Sequence, residues 1–76
     1  MQLDNSKIDD AVLALLLLGR HDGDRVWKGF DWDAMDRLHE KGYITDPKEK
    51  AKSVCLTEEG LARAERLLEE LFAKRA

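Results

Sequence analysis

Ala11 to Leu18 reads Ala-Val-Leu-Ala-Leu-Leu-Leu-Leu, eight apolar residues without a break. A bilayer span needs about 20 such residues, so this run is a core helix and no membrane partner is expected. Asn5 or Ser6 supplies its cap, Asp9 and Asp10 fall in its first turn where the helix dipole favours negative charge, and Gly19 stops it. Ile8, Ala11, Val12, Leu15 and Leu16 form one helical stripe, which Leu13, Leu17 and Leu18 widen around most of the circumference. Such a helix must be covered on nearly every side. The chain has only 76 residues to do it, which allows a single domain, 1–76, with a stability margin of ~3–5 kcal/mol. The apolar helix is therefore either the central helix or part of a contact between copies.

The rest of the chain alternates turn signals with short ordered segments. Arg20 to Asp24 form a polar hinge, and Val26 to Phe30 fit a short strand or one helical turn equally well. Asp31 caps a second helix with Trp32, Met35 and Leu38 on one face, Lys41 in its last turn and Gly42 just beyond. Tyr43-Ile44-Thr45 and Lys52 to Leu56 have strand character, and the intervening Asp46 to Ala51 makes them arms of a β-hairpin with a charged tip. Thr57 caps a third helix whose apolar face is Leu61, Ala64, Leu67, Leu68, Leu71 and Phe72. Gly60 costs that helix up to ~1 kcal/mol unless close packing requires it.

The order helix, short strand or turn, helix, hairpin, helix predicts a mainly α, winged-helix-like fold. Leu38-His39-Glu40-Lys41-Gly42-Tyr43-Ile44 and Val54-Cys55-Leu56-Thr57-Glu58-Glu59-Gly60 resemble the recognition-helix end, wing strands and following helix start of PadR-like and MarR-like bacterial regulators. Over almost the whole chain, Lys7 to Leu16, Trp27 to Trp32 and Leu38 to Gly60 resemble a family of small bacterial proteins known only as a domain of unknown function. That second resemblance implies no activity. The first implies DNA contact, through Arg37, Lys41 and the wing lysines Lys48, Lys50 and Lys52. About a dozen residues separate the first helix from Asp31, so the helix-turn-helix is truncated. Asp31, Asp33, Asp36 and Glu40 also outnumber Arg37 and Lys41 on the helix that would enter the groove. With 16 acidic and 13 basic side chains and a net charge of -3, the chain lacks the basic footprint of a strong nucleic-acid binder.

No chemical constellation competes with these readings. The lone Cys55 forms no disulfide and has no partner spacing for zinc, which fits a reducing, cytoplasmic setting. Acidic Asp4, Asp9 and Asp10 stand where a secretion signal is basic. His21 with Asp22, and His39 with Glu40, are neighbours in sequence and not helical ligand pairs. No cofactor, metal or enzymatic activity is expected. Trp27, Phe30 and Trp32 either cap the core beneath the hinge or form a partner platform. Leu61, Ala64, Leu68 and Leu71 fall at a/d spacing, and this helix either folds back on the first or pairs with another copy or another protein. The leading expectation is a non-enzymatic protein acting through protein contacts as a homodimer, on a surface drawn from Leu13, Leu17, Trp27, Trp32, Leu61, Leu68, Leu71 and Phe72; DNA binding is the alternative.

Overall fold

The computed structural model describes residues 1–27, 29–48 and 53–74. Three helices and two short strands follow one another as α1 (Asn5–Leu18), β1 (Arg25–Trp27), α2 (Trp32–Glu40), β2 (Ser53–Cys55) and α3 (Glu58–Phe72). The mainly α fold with a short antiparallel strand pair is thus the observed one.

The first cap differs from the expected Asn5 or Ser6. Asp4 takes that place, its Oδ1 accepting from the Ser6 and Lys7 amides at 3.0 and 3.2 Å. A carboxylate with extended backbone is as good an Ncap as Asn or Ser, and it lies far enough upstream to add a half-turn. Asp9 and Asp10 consequently sit in the second turn, beyond the strongest part of the dipole field. Val12, Leu13, Ala14 and Leu16 are buried, while Leu15 and Leu18 reach solvent. Cover for α1 comes from within the chain, from α2, β1 and above all α3.

Arg25 to Trp27 is a strand, with Val26 buried between two exposed neighbours. It pairs antiparallel with β2 in the register Arg25↔Cys55, Val26↔Val54 and Trp27↔Ser53. On its other side β2 meets the expected hairpin arm, Tyr43 to Thr45. Ile44 and Leu56 form an antiparallel bridge, the Thr45 amide donates to the Cys55 carbonyl at 2.9 Å, and the Thr57 amide donates to the Tyr43 carbonyl at 3.0 Å. Ser53 to Leu56 therefore lies between β1 and the Tyr43–Thr45 arm. Val26, Val54, Ile44 and Leu56 turn the inner face of this small sheet into core.

Helix α2 starts where expected, Asp31 Oδ2 accepting from the Ala34 amide at 3.2 Å. Its buried face is Ala34, Met35 and Leu38; Trp32, expected there, is 62% exposed because it is the helix's first residue and precedes the contact with α1. At the other end the Gly42 amide donates to the His39 carbonyl and the Tyr43 amide to the Leu38 carbonyl, a Schellman pair closed by Gly42 at φ +82°. Thr57 then ties two elements together. Its hydroxyl donates to the Gly42 carbonyl at 2.6 Å and accepts from the Gly60 amide at 3.0 Å. Gly60 is buried flat against the Tyr43 backbone, and a Cβ there would overlap the Tyr43 carbonyl oxygen and lie 2.7 Å from its carbon. Close packing is what the glycine serves.

Candidate functional site

The sequence points to two surfaces, a basic one on α2 and the wing, and an apolar one drawn from the first and last helices together with Trp27 and Trp32. The structure treats them differently. Arg37 projects from α2 toward α1, where its Nε donates to both carboxylate oxygens of Asp9 at 2.9 Å and its Nη2 lies 2.8 Å from Oδ1. Lys41, one turn on, donates from Nζ to Asp9 Oδ2 at 3.0 Å. The Asp9 side chain is 1% exposed. Burial pushes its carboxyl up, but the hydrogen bonds from Arg37 and Lys41 and their two positive charges outweigh burial and hold it below the usual carboxylate range. Both bases assigned to phosphate are thus engaged by a carboxylate of the same chain. Of the wing lysines, Lys48 is exposed, its amide donating to Asp46 Oδ1 at 2.9 Å; Lys50 and Lys52 lie outside the described residues.

The apolar set divides by depth. Leu13 is completely buried within the chain's own core and offers no surface to a partner, a correction that follows from the cover α3 and α2 give α1. Leu17, Leu61 and Leu68 are half-buried against that core. Trp27, Trp32, Leu71 and Phe72 are exposed, as is Leu18, which the sequence reading left out of the partner surface. Trp27 lies across Gly29, where a Cβ would sit 2.8 Å from the indole Cδ1. With Phe30 and Trp32 it stands outside the core, so these rings are not the cap of the core.

At one end of the molecule two of these exposed residues, Leu18 and Phe72, converge. Leu18 of α1 faces Leu68, Phe72 and Ala73 across an open groove of 430 Å³, with Glu65 and Glu69 completing its lining. Leu18 is 69% and Phe72 49% exposed. Glu65, Leu68, Glu69, Phe72 and Ala73 recur at helical spacing, one stripe around from the buried Gly60, Ala64 and Leu67. The groove lies between the carboxyl ends of the two helices, where Leu18, the last residue of α1, faces Phe72, the last of α3. Large apolar side chains gathered around a concavity are the ordinary make-up of a contact site for another molecule.

Three residues of consequence escaped the sequence reading. Asp9 carries a signal, since it stands three and four residues before the buried Val12 and Leu13, on the core stripe; its partners, 28 and 32 positions away, carry none. Glu65 and Glu69 read as ordinary solvated charge until the end of α1 fixes which side of α3 is open. Elsewhere, His21 and His39 bring ring nitrogens to the Gly19 and Ile44 carbonyls. Among the described residues no three of His, Cys, Asp and Glu gather as a metal site, and no helix is long and apolar enough to cross a membrane.

Comparison with known proteins agrees with the resemblance over the whole chain. A family model described as "Domain of unknown function (DUF6429)" matches residues 4–74. The chain is 57% identical over 74 residues to the uncharacterized protein y4hR of Sinorhizobium fredii (strain NBRC 101917 / NGR234), covering 97% of this chain and 100% of that relative. No solved structure matches significantly. On the strength of a match spanning all three helices and both strands, the chain belongs to the DUF6429 family of unknown function.

Proposed function

We propose that the protein acts through protein–protein contacts, catalysing no reaction, and that its contact surface is the apolar groove at the carboxyl ends of α1 and α3. The observation that carries this reading is the gathering of Leu18, Leu68 and Phe72 around one concavity. Exposed apolar groups of this size cost free energy in water, and a partner that covers them recovers about 25 cal/mol for each Å² of apolar surface removed from solvent. The winged-helix likeness then describes a scaffold and not a DNA reader. The helix that would enter the major groove directs Arg37 and Lys41 to Asp9.

A homodimer was expected because α1 is apolar on nearly all sides. Most of that face is covered by α3 of the same chain, so the groove is what remains for either a second copy or another protein. DNA binding is the competing reading, supported by the exposed Lys48 and the basic sequence of the wing. It requires a duplex complex that weakens steeply with salt; on the protein-contact reading, no duplex shifts even at about 50 mM salt, where phosphate contacts are strongest.

The test is the size of the protein in extract of its native cell. Wild type elutes well above the 8.7 kDa of one chain, and Leu18→Gln combined with Phe72→Gln, both at exposed positions, returns it to monomer size. An unchanged elution position for the double variant contradicts the reading.

A further inference from the structure

The walls of the groove carry charge of one sign. Glu65 and Glu69 stand one turn apart on the exposed side of α3 and line it together with Leu18, Leu68, Phe72 and Ala73. The two helices that form it run in the same direction: Asp10 pairs with Arg63 at 3.1 Å toward their middles, and Leu18 shares the groove with Phe72 at their carboxyl ends. Neither helix has a basic residue in its last turn. Two helix carboxyl termini, each equivalent to roughly half a negative elementary charge, therefore add to the two glutamates. Among the described residues, Arg63 is turned to Asp10, and neither Arg66 nor Lys74 lines the groove.

A second copy seated here by the same surface would bring Glu65 and Glu69 against their own counterparts in a contact that excludes water, and like charges so placed suppress pairing. A partner with the opposite sign gains where the copy loses. We propose that the groove binds a cationic amphipathic segment of another protein. Its bulky apolar side chains enter between Leu18, Leu68 and Phe72, and its Lys or Arg residues flank them to meet Glu65 and Glu69. This inference rests on the protein-contact reading and specifies its partner.

The experiment titrates the full chain into two fluorescein-labelled helical peptides of about four turns, each with Leu at i, i+3, i+4 and i+7 spacing. One carries Lys at the remaining positions and the other Glu, and binding is followed by anisotropy at low salt. The Leu/Lys peptide binds at least ~10-fold more tightly than the Leu/Glu peptide, as expected where rim charges select the partner. Leu18→Gln with Phe72→Gln weakens it about 10-fold or more, because apolar anchors dominate such contacts. Glu65→Gln with Glu69→Gln weakens it roughly fivefold, the product of two exposed charge contacts. Glu59→Gln with Glu70→Gln, the same change of charge at positions that do not line the groove, leaves it unchanged.

Equal losses from the two glutamate pairs, or a preference for the Leu/Glu peptide, overturn the cationic partner while leaving the groove a contact site. Sedimentation of the protein alone is the second arm. A dimer abolished by Leu18→Gln with Phe72→Gln makes a second copy the occupant and overturns the inference, again leaving the wider reading intact. Binding of neither peptide at millimolar concentration overturns both.

Discussion

Replacing Gly60 by Ala sets two effects of opposite sign against each other. In an exposed helix the change would stabilise by up to ~1 kcal/mol, the propensity difference between the two residues. In α3 the new methyl overlaps the Tyr43 carbonyl oxygen and lies 2.7 and 2.9 Å from the Tyr43 carbonyl and α carbons. Those are backbone atoms, so no rotamer change relieves the contact. Tyr43 itself is fixed by the Schellman pair behind Gly42 and by the Thr57 amide at 3.0 Å. The helix must move away as a body, at an overpacking cost of about 1–3 kcal/mol. The Thr57 bonds to Gly42 and Gly60 stretch with it, at about 0.5–1.5 kcal/mol each. After the propensity gain, Gly60→Ala is expected to destabilise by about 1–5 kcal/mol, a fall in melting temperature of at least ~4 °C for a chain of this size. Urea denaturation followed by circular dichroism measures it, with Glu59→Ala at the neighbouring exposed position as a control that moves little. A Gly60→Ala protein as stable as wild type, or more so, would refute the close approach of α3 to Tyr43.

Asp9→Asn removes the charge that Arg37 and Lys41 share; it destabilises at neutral pH by about 1–3 kcal/mol, below the cost of breaking a fully buried pair because both bases keep partial solvent access. The folded carboxyl titrates below its unfolded value. The contribution is therefore complete above the unfolded value of about 3.9 and is lost as pH falls through the lower folded value. Urea melts of wild type and Asp9→Asn should differ at pH 7 and converge in strong acid, whereas a constant gap across that range contradicts the ion cluster. Leu13→Ala empties a fully buried site and costs about 2–5 kcal/mol, enough to unfold much of a small domain, while Leu18→Ala at the groove changes stability by less than ~0.5 kcal/mol. Equal effects in thermal melts would contradict the division between core and groove.

Most of the local chemistry of the fold is written in adjacent residues. Asp31, Thr57 and Gly42 mark helix ends by side-chain geometry that needs no distant partner, and each does in the structure what its type predicts. Over Val26 to Phe30 periodicity does not separate a strand from a helical turn; pairing of Val26 with Val54, nearly thirty residues away, makes Arg25–Trp27 a strand. The same distance hid the fate of Arg37 and Lys41. Local reading sees two bases on a helix and infers a phosphate surface, and only the packing of α2 on α1 reveals the Asp9 carboxylate between them. The groove was half legible. Leu68 and Phe72 belong to the apolar face of α3, but which of its apolar residues stay open depends on where α1 stops.

The contact claim is tested most directly by photo-crosslinking in the native cell. A photoreactive phenylalanine analogue is placed in turn at Leu18, Phe72, Trp32 and Ala62, all exposed positions. Discrete adducts with another polypeptide from Leu18 and Phe72, and none from Ala62 on the solvent side of α3, are the predicted result. Equal yields from all four positions, or adducts confined to Trp32, would contradict it.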